Sequence, residues 1–144
     1  MENNYDYELV ILGDPKAQGR PRARNAGRFI QIYDDPKSKK AKDSMITVIQ
    51  EKAPDELLDG PLRVDLKFYL PRPQGHYGTG KKSGVLKMSA PTMHTKKPDI
   101  DNLRKLVMDA MTHVYWRDDS LVCEGETIKQ YSGKPRTEIY IKKL

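Results

Sequence analysis

An α+β fold, with a mixed or mostly antiparallel sheet and two main helices, is what this sequence predicts, and three features carry the prediction. Residues 62–70 alternate cleanly, placing Leu62, Val64, Leu66, Phe68 and Leu70 on one face, the period of a half-buried strand. Two other stretches, opening at Asp35-Pro36 and at Asp99, repeat apolar residues at helical spacing. Further β-rich runs at both ends of the chain complete the sheet.

In chain order, residues 7–12 read as a first strand, stopped by Gly13-Asp14-Pro15. Residues 16–28 are too rich in Gly, Pro and Arg to predict a regular element, and 28–33 predict a short second strand. The first helix opens at Asp35-Pro36, with proline suited to a first turn. It runs to about residue 52, turns Met45, Ile46, Val48 and Ile49 toward the core, and is ended by Pro54. After the 62–70 strand, residues 71–98 form a long irregular basic excursion of the kind that is usually functional or mobile. The second helix covers 99–113, and strands at about 121–131 and 137–142 close the chain around Gly133-Lys134-Pro135. The 144 residues suffice for one domain spanning 1–144.

The chain carries a formal charge of +6, with 32% charged and 37% hydrophobic residues. The apolar share is high enough to argue against wholesale disorder. The basic balance favours polyanionic partners through phosphate neutralisation. Its distribution says more than its total. Six basic residues and no acid lie between Arg72 and Pro98, among them Lys81, Lys82, Lys96 and Lys97. Nine basic and three acidic residues lie between Asp14 and Lys42, including Arg20, Arg22 and Arg24. Cys123 is the single cysteine, so no intramolecular disulfide forms, and a small buried strand residue is the expectation for it. Residues 1–6 show no signal-peptide pattern and no apolar run is long enough for a membrane, so a cytoplasmic location is expected.

The stretch richest in chemistry is Lys97-Pro98-Asp99-Ile100-Asp101-Asn102-Leu103-Arg104-Lys105. At ~100° per residue from Asp99, Asp101, Asn102, Lys105 and Asp109 fall between about 200° and 300°. Leu103, Leu106, Val107, Ala110 and Met111 centre near ~40°, so one face packs and the other presents acids, an amide and a lysine. Taken alone, this helix has a plain structural explanation. Asp99 caps it, Asp101 complements the dipole, and Asp101–Lys105–Asp109 forms a charge ladder. A second acidic site, Asp118-Asp119 after Tyr115-Trp116, tips the balance, although that pair also suits a solvated turn. Carboxylates brought together can hold hard Mg²⁺, and a metal assisted by a lysine meets the demands of phosphodiester hydrolysis.

Other patterns are weaker. Gly75-His76-Tyr77-Gly78-Thr79-Gly80-Lys81-Lys82 approaches a phosphate-binding loop, but Lys82 stands where Ser or Thr should hold the metal, so no nucleotide cofactor is expected. His76, His94 and His113 lack metal-ligand spacing. Arg20-Pro21-Arg22-Ala23-Arg24 suits phosphate contacts as well as it suits a solvated loop.

The run from Lys97 through Leu103 with Lys105, then Asp109-Ala110-Met111 and Trp116-Arg117-Asp118-Asp119, resembles the central motif of the RusA family of Holliday junction resolvases. Gln18-Gly19-Arg20-Pro21-Arg22 and Lys129-Gln130-Tyr131 are similar to segments of the same family. The resemblance implies a RusA-like homodimer that binds four-way junctions or other branched DNA and nicks two opposed strands, using Mg²⁺ or Mn²⁺ in its place. Asp99, Asp101 and Asp119 match its metal-binding carboxylates, Lys105 its assisting lysine, and Asp118 a neighbouring acid. Origin in prophages is common in the family, implying recombination or repair. Residues 71–98 exceed the connection in compact members, and the 109–116 spacing is slightly shorter. Two rivals stay open, a non-catalytic DNA-binding protein and a less selective nuclease for flaps or branched DNA.

Overall fold

The computed structural model describes residues 4–19, 22–27, 29–33 and 36–144. Strand β1 (Tyr7–Leu12) is followed by a hairpin of β2 (Arg22–Ala26) and β3 (Phe29–Tyr33), helix α1 (Pro36–Gln50) and the long strand β4 (Leu62–Leu70). Helix α2 (Ile100–Met111), β5 (Val122–Glu124), β6 (Thr127–Tyr131) and β7 (Arg136–Lys143) complete the order. The main sheet runs β1-β7-β4, with β5 and β6 along the far side of β4. β7 is antiparallel to both β1 and β4, whereas β5 and β6 are parallel to β4. The sheet is mixed and carries two helices, as expected.

Alternation in β4 builds the core. Leu62, Val64, Leu66, Phe68 and Leu70 are all buried, and they share one cluster with Ile139 and Ile141 of β7, Met45 and Ile49 of α1, and Leu103, Leu106, Val107 and Met111 of α2. Ile46 and Val48 of α1 are half-buried at its margin. The other side of the sheet is polar and aromatic. Arg136 lies over the Tyr69 ring at 4.0 Å, and Lys67 over that of Tyr140 at 5.4 Å.

Three expectations need correction. Residues 16–28 do contain a strand, because Arg22–Ala26 pairs antiparallel with β3 around a turn whose Gly27 has φ 76°. The expected strand at 121–131 is broken in two. Gly125 adopts φ 144°, and a Cβ there would lie 1.8 Å from the Val64 carbonyl oxygen, so the chain swings out at this contact before resuming as β6. Cys123 is exposed, not buried, because it sits on the short edge strand β5. The helices also end slightly earlier than expected, at Gln50 and Met111.

The 71–98 excursion holds two single-turn 3-10 helices, Gln74–His76 and Gly80–Lys82. Its returning limb joins the sheet edge. His94 N–H donates to the Lys129 carbonyl at 3.2 Å, and Tyr131 N–H to that of Thr92 at 2.8 Å. The excursion is therefore anchored on β6 just before it enters α2. Among the described residues, no helix is long and apolar enough to cross a membrane.

Candidate active site

Asp99 occupies the N-cap position of α2 in extended conformation, yet its side chain makes no capping hydrogen bond. Nor is the charge ladder formed. Among the described residues, Asp101, Lys105 and Asp109 form no ion pair with one another. The opposite face is fully committed, with Leu103, Leu106, Val107, Ala110 and Met111 buried. The cap and the ladder thus fall short of what the side chains do, while Asp101 does lie in the first turn of α2, where it complements the dipole.

Beyond α2 the chain turns sharply. Thr112 Oγ1 donates to the Met108 carbonyl at 2.8 Å and accepts from Trp116 Nε1 at 3.2 Å. His113 takes the left-handed conformation, φ 71°, and Tyr115 and Trp116 are fully buried beneath. Among the described residues the Tyr115 hydroxyl has no partner, and burial pushes its pKa up to about 12. This packed corner returns the chain alongside α2.

The two acids that follow it behave differently. Asp118 Oδ1 accepts from Ser120 N–H at 3.1 Å and caps a single 3-10 turn. That bond, with one to Asp119, holds its carboxyl below the ordinary range. Asp119 is pushed the other way, first by hydrogen bonding with Asp118, then by burial and by the charges of Asp118 and Asp109.

Asp119 faces a cavity of about 430 Å³ lined by Asp101, Arg104, Lys105, Met108, Asp109, Asp119 and Val122. A second hollow of about 450 Å³ adjoins it, with Asp99 and Asp101 on one side and Met93, His94 and Lys129 among its walls. Asp101 belongs to both. The expected triad is therefore split, with Asp101 and Asp119 in one hollow and Asp99 with Asp101 in the next. Among the described residues, no group of three His, Cys, Asp or Glu side chains is close enough to hold one metal ion. A larger groove of about 510 Å³ lies between β1 and α1, but its walls are largely aliphatic and hold no acidic cluster.

The expected DNA contacts are scattered. Arg20 lies outside the described residues, as does the side chain of Arg22. Arg24 is exposed on β2, and Lys81 and Lys82 are exposed on the excursion. Lys96 and Lys97 immediately precede Pro98 and Asp99, also exposed. Gln18 N–H donates to the Asn102 carbonyl at 3.0 Å, so the approach to the arginine-rich segment runs against the first turn of α2. Sequence reasoning missed two residues beside the acids. Lys129 Nζ donates to the carbonyls of Lys96 and Pro98, and Arg104 donates to Thr127.

Carboxylates and cations facing one open hollow, in a chain of charge +6, are the equipment of a nuclease. The family model for endodeoxyribonuclease RusA matches residues 13–142, and the chain belongs to that family. It is also similar to an uncharacterized protein, YqaN, of Bacillus subtilis (strain 168). The two are 34% identical over 142 residues, covering 95% of this chain and 96% of the relative.

Proposed function

We propose that the protein is a metal-dependent, structure-selective endonuclease that resolves four-way DNA junctions by paired nicks. The observation that carries this reading is the shared cavity of Asp101, Asp109 and Asp119 with Lys105. Acids lining one hollow, with Asp119 raised in proton affinity by its hydrogen bond with Asp118, by burial and by the charges of Asp118 and Asp109, gain nothing for a protein that only grips phosphate. They suit a site completed by a cation.

The donor set fits a hard divalent ion. Mg²⁺ keeps several waters and takes one or two carboxylates, so three converging acids are not required. Asp101 and Asp119 would hold it, with Asp99 supporting from the adjoining hollow, and Mn²⁺ would be accepted by the same oxygens. Such an ion supplies stabilisation of phosphoryl charge and lowers the pKa of its bound water. On the same helix face, Lys105 is a cation for the charge that builds on phosphate or leaving oxygen. Lys96 and Lys97, ahead of Asp99, and the lysines of the excursion would follow the backbone of a DNA arm.

Paired nicks need two active sites related by a two-fold axis, hence a homodimer. We place the contact at β1, an edge strand of the sheet that exposes Val10 and Leu12. The single-domain organisation and the recombination or repair role belong to the same proposal. One observation favours a second reading, a DNA-binding protein that does not cut: the absence of a three-carboxylate cluster among the described residues.

Cleavage of a synthetic immobile four-way junction with Mg²⁺, beside a linear duplex and the Asp101→Asn variant, decides between them. Symmetric nicks in the junction alone, lost in the variant while binding persists, support the resolvase. Cutting of flaps and linear DNA at equal rates would point to a less selective nuclease. Tight binding without cutting under any divalent metal would leave the binding protein.

A further inference from the structure

We infer that Arg104 is a phosphate-binding residue of the acidic cleft, which rests on the nuclease reading above. Arg104 lines the same cavity as Asp101, Lys105, Asp109 and Asp119. Its Nη1 donates to Thr127 Oγ1 at 2.9 Å, a contact from α2 to β6. It forms no ion pair with any of the three aspartates or with another described residue.

That combination is informative. An arginine placed to neutralise neighbouring carboxylates takes them in short, forked pairs. Here the guanidinium is held by a neutral hydroxyl instead, which sets its orientation and, among the described residues, leaves its remaining N–H donors unspent. It is half-buried in the wall of the cavity. A rigid, permanently charged fork matches a phosphodiester, whose two non-bridging oxygens accept bidentately. Lys105 supplies a compact point charge from the same helix. The two cations thus divide the work, Arg104 orienting the phosphate and Lys105 meeting the developing charge.

The test reads binding rather than turnover. Affinity of the full chain for a synthetic four-way junction is titrated over a range of salt concentrations, without divalent metal and then with Ca²⁺. Wild type, Arg104→Gln, Arg104→Lys and Thr127→Val are compared, with thermal unfolding as the check on folding. Arg104→Gln is expected to weaken binding about tenfold and to lower the salt slope by about one. Arg104→Lys and Thr127→Val keep the charge, so their slopes should match wild type while affinity falls about threefold through lost orientation. An unchanged slope in folded Arg104→Gln overturns the proposal, because the arginine then serves only to balance the acids. If that variant does not fold, wild-type affinity in both Arg104→Lys and Thr127→Val overturns it instead. Wild-type cutting of the same junction reports separately on the nuclease reading, since the salt slope needs no turnover.

Discussion

Lys129 Nζ donates to the carbonyl oxygen of Pro98 at 2.8 Å, and to that of Lys96 at 2.7 Å. A side chain on β6 therefore grips the backbone immediately ahead of Asp99 and Asp101. The strand is itself fixed to the centre of the sheet through the parallel pairing Leu66↔Thr127 to Leu70↔Tyr131. The position of both carboxylates is thus referred to β4, the most buried strand, rather than to the exposed excursion that precedes them.

Removing that grip should cost catalysis more than binding. Lys129→Met is expected to lower kcat by about ten- to a hundredfold, the scale of a small misplacement of reacting groups. Junction affinity should stay within about threefold, and Lys129→Arg should recover part of the rate. Single-turnover cleavage and equilibrium binding, measured side by side, separate these terms. A variant that cuts normally once bound, but binds weakly with a lower salt slope, would make Lys129 a DNA contact instead.

What was legible beforehand follows from how local each signal is. The β4 alternation and the α2 periodicity lie within one element, and both were readable to the residue or nearly so. β2 was not, because Arg-Ala-Arg-Asn-Ala carries no alternating apolar pattern and its pairing with β3 defines it. The break at Gly125 depends on the Val64 carbonyl, which lies on another strand. In the candidate site, helix geometry and motif resemblance single out Asp101, Lys105 and Asp119, which line one cavity. Arg104 falls at ~140° on the same helical projection, on the border of the two faces. Its significance appears only when Thr127, 23 residues later, is folded against it. Lys129 is likewise 31 residues from Pro98, and nothing local announces a parallel strand pairing.

The acidic pair should separate cleanly by mutation. Asp119→Asn is expected to abolish cutting, by about a hundredfold or more, whereas Asp118→Asn keeps an oxygen to accept from Ser120 N–H and retains much of the rate. The metal-free protein should respond in the opposite sense. Asp119 is crowded by Asp118 and Asp109, so Asp119→Asn relieves repulsion and raises Tm at low salt. That gain should vanish near 1 M salt, where the Debye length is ~3 Å. A lowered Tm at low salt would mean that Asp119 is held by attractive contacts and that the cleft is not electrostatically strained.

Acid stability should trace to Asp65 on the far face of the sheet. Burial pushes this carboxyl up, but hydrogen bonds from Tyr5, Glu126 N–H and Arg63 outweigh it and hold it below its ordinary range. The Glu126 and Arg63 bonds are 2.7 and 3.0 Å. A folded pKa below the unfolded one gives stabilisation that is complete above the unfolded value, ~4. It fades as pH falls through the folded value. Glu138 is depressed in the same sense, burial being outweighed by Tyr140 and Arg136. The urea midpoint of wild type should therefore drop below pH ~4. Asp65→Asn should lower the urea midpoint at pH 7, through weakened hydrogen bonds from Tyr5, Glu126 N–H and Arg63, and show a shallower decline on the acid side. A decline of equal steepness in the variant would remove Asp65 from the account.

Gly125 should be the least replaceable glycine in the sheet. A Cβ would meet Val64 oxygen at 1.8 Å and its carbonyl carbon at 2.6 Å, on a backbone at φ 144° that L side chains rarely adopt. Both obstacles are backbone, so no rotamer change relieves them. Gly125→Ala is expected to destabilise by about 3 kcal/mol or more, read from urea unfolding. The damage should reach the site. The chain on one side of Gly125 is β5, whose Val122 lines the acidic cavity beside Asp119; on the other is β6, with Thr127 and Lys129. Cleavage should then fall even under conditions where the variant remains folded. Gly27→Ala, where φ is 76° and no atom lies within 4 Å, strains only a hairpin turn and should cost less, about 1 kcal/mol. Equal losses in the two variants would show that backbone conformation alone, and not the approach to Val64, sets the requirement for glycine at 125.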